Sequence, residues 1–196
     1  MMKTPSLYLD RMLYPVTALG PGNRLAFWVS GCSRHCERCA SPFLWQQKPE
    51  QAIPLPRLLS IVTRLLRDKK PDGLTITGGE PFDQALALSA LLQQLPEKPD
   101  DILIYSGYSR EELLQDPEKK ALLAQVGVLI DGPYLDSQNT PDIVLRGSRN
   151  QRIFYEKPSL RLRYQPYLQQ GRQIQNFIYD YEIFSVGIQN PMSADL

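Results

Sequence analysis

Sulfur and imidazole ligands are scarce in this chain of 196 residues, and their scarcity limits the chemistry it can perform. It has three cysteines and one histidine, and all four lie between Cys32 and Cys39. An odd, small number of cysteines argues against a secreted domain held by disulfides. A structural zinc site is also disfavoured, because it takes four ligands that usually come from two separated pairs.

Long apolar runs and a strong net charge are missing as well. No apolar run approaches the length of a membrane span, and the N-terminal residues lack the apolar centre of a signal peptide. A net charge of +1 argues against a general nucleic-acid-binding protein. We therefore expect a cytoplasmic protein with neither a membrane nor a nucleic acid as its partner.

Short apolar segments alternate with helical ones through the first two thirds of the chain. Strands are predicted over residues 24–30, 73–77, 101–105 and 127–130. Helices are predicted between them, over residues 55–68, 82–95 and 109–115 and again after Pro117. This alternation predicts an α/β fold with a mostly parallel sheet and βαβ crossovers.

Each of the four predicted strands is followed by residues that are unusual in a simple loop. The cysteines follow the first strand, Gly78-Gly79-Glu80 the second, Ser106 the third and Asp131-Gly132 the fourth. In parallel sheets the chemistry gathers at the carboxyl ends of the strands. The sequence therefore predicts one site along this edge of the sheet.

Residues after Tyr155 differ in character from the rest. They show no helical period, and the segment "IQNFIYDYEIFSVGI" predicts a hairpin or a pair of edge strands that turns near Asp180. We therefore predict a core over residues 1–155 and a β-rich extension over residues 156–196.

The three cysteines, Cys32, Cys36 and Cys39, are compatible with four kinds of site. A disulfide would leave one cysteine over, zinc would lack separated ligands, and inert buried cysteines are rarely placed in a polar loop. The fourth kind, favoured here, is an iron–sulfur cluster held by thiolates. A [4Fe–4S] cluster normally takes four cysteines, so three would leave one iron open to a substrate or cofactor. The basic residues of the loop would favour thiolates or merely keep the loop soluble.

Two motifs together resemble those of the radical S-adenosylmethionine (SAM) superfamily. They are the Cys32-x3-Cys36-x2-Cys39 spacing and the segment "TITGGEP" at residues 75–81. Three further segments are similar to the anaerobic ribonucleotide reductase activating proteins, which are glycyl-radical activating enzymes. These segments are "GPGNRLAFWVSGC", "YSGYSREEL" and the "RGSxNQ" element at Arg146 to Gln151. The resemblance covers about residues 14 to 154.

The resemblance implies a fold, two cofactors and a reaction. The fold would be a partial, open β/α barrel, and the cofactors would be a [4Fe–4S] cluster and SAM. One electron from the cluster would cleave SAM, and the resulting 5′-deoxyadenosyl radical would take a hydrogen atom from a glycine of a large partner enzyme. An electron donor such as flavodoxin or ferredoxin would reduce the cluster.

The resemblance also implies roles for particular residues. Cys32, Cys36 and Cys39 would ligate the cluster, while Gly78, Gly79 and Glu80 would line the methionine end of SAM. The backbone of Arg38 would lie near the adenine, and Ser106 would reach the ribose or carboxylate.

Structural alternatives stand beside the roles outside the cluster. They are a tight turn at the glycines and a turn or cap at Ser106. Arg146, with Asn150, would contact SAM or fix a loop, and an Arg–Asp pair holding the rim is the alternative there.

Departures from the family pattern keep two other functions open. The position of Arg38 is often aromatic or glycine in the family, Ala40-Ser41 replaces a common aromatic-Asn pair, and the extension is longer. One alternative is a radical SAM enzyme that modifies a peptide or small molecule. The other is a non-enzymatic metal- or cluster-binding protein that docks a partner through the aromatic residues of its extension, which would otherwise form a small core.

Overall fold

A computed structural model describes residues 5–179 and 181–190 of the chain. Its strands are β1 (Ser6–Val16), β2 (Arg24–Val29), β3 (Ala52–Pro54), β4 (Gly73–Gly78), β5 (Ile102–Tyr105), β6 (Val128–Asp131), β7 (Arg152–Tyr155), β8 (Ile174–Tyr179) and β9 (Glu182–Gly187). Its α-helices are α1 (Leu55–Lys69), α2 (Ala85–Gln94), α3 (Arg110–Gln115), α4 (Pro117–Leu123) and α5 (Arg161–Leu168). No helix among these residues is long and apolar enough to cross a bilayer.

Seven strands form the main sheet, in the order β3-β1-β2-β4-β5-β6-β7. The central strands β2, β4, β5 and β6 are parallel neighbours, whereas β1, β3 and β7 add antiparallel edges. Because each new parallel strand is added on the same side of the last, the order is that of a barrel wall. Among the described residues β3 and β7 remain unpaired with each other, so the barrel is open. The predicted α/β fold with a partial barrel is confirmed.

The two faces of the sheet have different coverings. Alternate strand residues such as Phe27, Ile76 and Ile104 pack with α1 to α4 into the main apolar core. The residues between them, such as Trp28, Thr77 and Tyr105, point to the opposite face and line a cavity there. Helices α1 to α4 therefore cover one face, while α5 and the β8–β9 hairpin cover only part of the other and leave room for a site.

Local sequence signals account for the packing of α1 and for the start of α3. In α1, Leu55, Leu58, Val62 and Leu66 are buried at helical spacing, which attaches the helix to the sheet. At the start of α3, the predicted cap is present as a capping box between Ser109 and Glu112.

Three strands and one helix are missing from the sequence prediction, and two of these strands, β3 and β7, are the edges of the sheet. We did not predict β1, because Asp10-Arg11 interrupts its apolar alternation. Its pairing with β2 also shifts register twice, between Leu9 and Arg11 and between Leu13 and Val16. The short strands β3 and β7 were also not predicted. The prediction that no helix follows Tyr155 is wrong, because α5 lies there. The buried residues of α5 are Tyr164 and Tyr167, and Pro166 inside the helix obscures the helical pattern in the sequence.

The extension is otherwise β-rich as predicted. Strands β8 and β9 pair antiparallel from Ile174–Gly187 to Tyr179–Glu182, which confirms the hairpin, while Asp180 lies outside the described residues. The aromatic residues of the extension differ in burial. Tyr164 and Tyr167 are buried against β5 and β6, whereas Tyr181 is fully exposed.

A buried ion pair lies at the end of the sheet opposite the predicted site. The Arg24 guanidinium, which is 0% exposed, donates to both carboxylate oxygens of Asp101 at 2.8 and 3.1 Å. It also donates to Thr75 Oγ1 at 2.6 Å, and the Tyr164 hydroxyl donates to Asp101 at 2.7 Å. This network joins β2, β4 and β5 to α5, so part of the extension is anchored in the core.

Candidate active site

One cavity of about 890 Å³ opens at the carboxyl ends of the parallel strands. All four predicted strand ends contribute to it, so the convergence expected from the sequence is present. Of the predicted site residues, those that line the cavity are Cys32, Cys36, Arg38, Cys39, Gly78, Gly79, Glu80 and Ser106. Arg146 is not among the lining residues.

The cysteine loop leaves β2 and returns against its own flank. The backbone N–H of Gly31 donates to Leu44 O at 2.8 Å, and that of Cys32 donates to Trp45 O at 3.0 Å. His35 and Arg38 have left-handed backbone, with φ of 44° and 52°, which coils the loop tightly between the cysteines. As a result, all three cysteines face one cavity as free, partly exposed thiols.

Asp83 holds this loop against the next strand connection. Its carboxylate accepts hydrogen bonds from the backbone N–H of Ser33 at 2.7 Å and from the Ser33 hydroxyl at 3.1 Å. It also accepts one from the Tyr108 hydroxyl at 2.8 Å. Three strand ends are thereby joined beside Cys32.

The two arginines of the cysteine loop contact residues of neighbouring loops. Arg38 pairs with Asp136 at 3.0 Å, and Arg34 lies 4.7 Å from the Tyr108 ring centre and 3.5 Å from Glu112. Burial raises the pKa of the Cys32 thiol, although the backbone N–H groups of His35 and Arg34 oppose that shift. The arginines therefore tie the loop to its neighbours. Burial is the largest influence on the pKa of the Cys32 thiol.

The two glycines after β4 permit backbone contact with the cysteine strand. Gly78 has φ of +109°, and a side chain on it would collide with the backbone of Val29. A side chain on Gly79 would collide with Gly31 O. The N–H groups of Gly79 and Glu80 donate to Val29 O and Gly31 O at 2.7 and 2.8 Å. The glycines thus form a tight junction and also expose backbone to the cavity.

Glu80 is buried and ties the second strand end to the third. Its carboxylate accepts hydrogen bonds from Ser106 Oγ at 2.9 Å, Gly107 N at 2.7 Å and Phe82 N at 3.0 Å. Ser106 Oγ in turn accepts from Tyr108 N at 3.0 Å. Burial raises the pKa of Glu80 to about 7, although the three donors favour its ionised form.

This raised pKa predicts that Glu80 makes the metal-free protein less stable as the pH rises. Between its ordinary pKa and about 7, Glu80 holds a proton in the folded state but not in the unfolded state. Its stabilising contribution, complete at low pH, is lost as the pH rises through about 7. We expect a loss of roughly 1–3 kcal/mol between pH 5 and 8, measured by urea unfolding.

Glu80→Gln should remove this part of the pH dependence, whereas the exposed control Glu37→Gln should keep it. An unchanged pH profile in Glu80→Gln would show that the group does not titrate in this range.

The "RGSxNQ" element folds into a loop that is fastened by its own side chains. Gln151 accepts from Gly147 N at 2.7 Å and donates to Gly132 O at 2.9 Å. Arg146 donates to Gln151 O at 3.0 Å, and Asn150 donates to Pro133 O at 2.7 Å. These are loop-fixing contacts, and the Arg–Asp pair of this loop is formed by Arg149 with Asp142.

Comparisons with known proteins identify the family. The family described as "4Fe-4S single cluster domain" matches residues 18–154. The anaerobic ribonucleoside-triphosphate reductase-activating protein of Vibrio cholerae is 35% identical over 71% of this chain and 93% of its own. The chain belongs to the anaerobic ribonucleoside-triphosphate reductase-activating protein family.

A second curated relative agrees with this membership. The activating protein of Haemophilus influenzae is 33% identical over 71% of this chain and 93% of its own. The crystal structure of QueE from Escherichia coli aligns with 52% of this chain and 53% of its own, at 16% identity and a TM-score of 0.41. An activating protein of this family is a radical SAM oxidoreductase, and its cofactors are a [4Fe–4S] cluster and SAM. The family and cofactors predicted from the sequence are therefore confirmed.

The residues present in this activating protein fit both cofactors. Three free thiols line one cavity, and within residues 5–179 and 181–190 no three His, Cys, Asp or Glu side chains converge on a single-ion site. A cluster requires wider spacing, because each thiolate binds a different iron. Among the described residues, buried polar atoms of Trp45 (Nε1), Tyr105 (OH) and Asn139 (Oδ1) lack partners, and these side chains line the cavity.

Sequence reasoning missed several residues of this site. Asp83 lies outside the quoted motifs, and Tyr108 lies within "YSGYSREEL" but had no role assigned; both are within three residues of predicted site residues. The wall formed by residues 185–190 had no signal in the sequence, because the chain separates it from the cysteines by about 150 residues. Its place follows only from the packing of β9 against β1.

Proposed function

We propose that this protein activates an anaerobic ribonucleoside-triphosphate reductase by generating a glycyl radical on it. The observation that carries the proposal is the convergence of the cysteine loop and the Gly78-Gly79-Glu80 junction on one cavity. It occurs in a chain that is 35% identical to a protein named for this activation.

We propose Cys32, Cys36 and Cys39 as the cluster ligands and the adjoining cavity as the SAM site. When bound, the cluster and SAM supply an electron and a 5′-deoxyadenosyl radical, which is the hard chemistry of the reaction. The chain contributes three soft thiolate ligands and no further cysteine, which leaves one coordination position for a ligand other than protein.

Other residues of the chain orient the bound groups and exclude water. Asp83 fixes the cysteine loop through Ser33, so the first thiol keeps one position. The glycine junction presents backbone of residues 78–80 at the methionine end of SAM. The backbone beside Arg38 and the Ser106 side chain line the same cavity, where we propose contacts with the adenine and with the ribose or carboxylate. Arg146 acts by fixing the loop that carries Gly147 and Gln151.

Four wider features belong to the same proposal. The core over residues 1–155 carries the cofactors, and residues 156–196 form the extension. The partner is a glycyl-radical enzyme, and an electron donor such as flavodoxin or ferredoxin reduces the cluster. The protein acts in the cytoplasm, where reducing conditions keep its three free cysteines as thiols.

The test is activation of the anaerobic ribonucleoside-triphosphate reductase from the same source. The cluster-loaded, reduced protein is mixed with that reductase and SAM without oxygen, and the electron paramagnetic resonance (EPR) spectrum is recorded. We expect a doublet radical signal on the reductase, absent when the reductase's radical-bearing glycine is replaced by alanine. Cleavage of SAM without any such signal would contradict this function and favour a peptide or small-molecule substrate.

A further inference from the structure

Part of the cavity wall comes from the extension. Residues 185–190, which are the end of β9 and the segment after it, line the cavity together with the cysteine loop and the strand ends. This segment lies beyond residues 18–154, the range matched by the family. The chain thus builds one side of its cofactor cavity from residues outside the matched core.

The wall is fixed to the core at β9 and β8. Val186 is only 5% exposed and packs with Leu13, Val16 and Ala26 of the main sheet. On the paired strand, Gln175 accepts from Thr17 N at 2.9 Å and donates to Pro15 O at 2.8 Å. The hairpin is therefore seated on β1 rather than projecting from it.

Arg172 fastens the other end of the wall. Its Nε donates to Ile143 O at 2.9 Å, and its NH1 donates to Gln189 O at 2.7 Å. A longer contact joins the same Gln189 carbonyl to Asn139 Nδ2 at 3.4 Å. One guanidinium thus connects the wall to the loop that precedes the "RGSxNQ" element, across the cavity rim.

From this geometry we infer that residues 185–190 form a wall that retains SAM, and that Arg172 is the positioning residue that holds this wall. The inference rests on the proposed function only in that the cavity is taken to be the SAM site. The wall limits the exchange of the bound ligand and of water at the extension side of the cavity.

The test compares Arg172→Met with Arg161→Met in the cluster-loaded full-length protein. Methionine keeps much of the side-chain length but removes every donor. Arg161 lies on the same extension, is exposed, and makes no side-chain hydrogen bond or ion pair within the described residues, so it is the matched control. SAM affinity is measured by equilibrium dialysis, and hydrogen exchange of residues 185–190 is measured with and without SAM.

We expect SAM to slow exchange at residues 185–190 in the wild type and in Arg161→Met. In Arg172→Met this protection should be lost and SAM should bind roughly tenfold more weakly, because the two short hydrogen bonds of Arg172 and its two longer ones are removed. Wild-type SAM affinity in Arg172→Met would overturn the inference. So would hydrogen exchange at residues 185–190 of the wild type that is the same with and without SAM.

A second variant covers the case in which Arg172→Met does not fold. Ile188→Trp enlarges a side chain of the wall and leaves Arg172 unchanged. It should also weaken SAM binding. Wild-type SAM affinity in this variant would overturn the inference. Failure of the proposed function is a separate result. If SAM binds and slows hydrogen exchange at residues 185–190 but no glycyl radical forms on the reductase, the proposed function is rejected. The inference that residues 185–190 retain SAM would still hold.

Discussion

Cys36→Ser is expected to lose the iron–sulfur cluster and to lower SAM cleavage by more than about 100-fold. This loss of activity exceeds the one typical of replacing a residue that only hydrogen-bonds to a metal ligand. Cys36 is the central of only three cysteines, and the chain has no other that could replace it. A serine hydroxyl is a harder ligand that stays protonated at neutral pH, so it binds iron poorly. The measurement is iron content after anaerobic reconstitution, followed by EPR of the reduced protein with and without SAM.

The matched control for Cys36→Ser is Glu37→Gln, a neighbouring exposed residue of the same loop. It should keep the wild-type iron content and an EPR signal that changes when SAM is added. Cys36→Ser with wild-type iron and an unchanged response to SAM would show that Cys36 is not a ligand.

Asp101→Ala is expected to destabilise the fold by about 3–5 kcal/mol, since it leaves the buried Arg24 cation without its carboxylate. The Tyr164 hydroxyl would lose its acceptor at the same time. A loss of this size is a large part of the stability of an ordinary domain. Thermal unfolding of the protein under anaerobic conditions should show a midpoint lower by roughly 10 °C.

Asp100→Ala provides the control, because the adjacent carboxylate is 88% exposed and pairs with Lys157 at the surface. Its loss should cost less than about 1 kcal/mol. Equal midpoints for the two variants would show that the buried pair contributes no more than the exposed one. A double variant, Arg24→Met with Asp101→Leu, should recover part of the stability because no charge is then left buried.

The parallel core was predictable because its signals are local. Each central strand is a short apolar run, and each crossover helix has apolar residues at helical spacing, as in α1. The antiparallel strands were not predictable in the same way. In β1 the charged pair Asp10-Arg11 interrupts the alternation, and one of its two neighbours, β3, is remote in sequence.

The roles of single side chains depended on tertiary contacts. Glu80 and Ser106 were predicted as site residues, but their mutual hydrogen bond arises only because β4 and β5 end side by side. Arg146 was predicted to contact SAM or to fix a loop, and its side chain donates to the Gln151 carbonyl. Helix α5 was missed because its buried residues are tyrosines, one of which reaches the Arg24–Asp101 pair.

By itself, the sequence determined the candidate ligands and the order of the central strands and their crossover helices. Cysteine spacing and glycine positions are properties of the local backbone, so their chemistry can be read before any folding is known. Only the tertiary structure decided which carboxylates hold the cysteine loop and that the extension supplies a wall of the cavity. Those outcomes depend on contacts between residues such as Asp83 and Ser33, or Arg172 and Ile143, that no local pattern encodes.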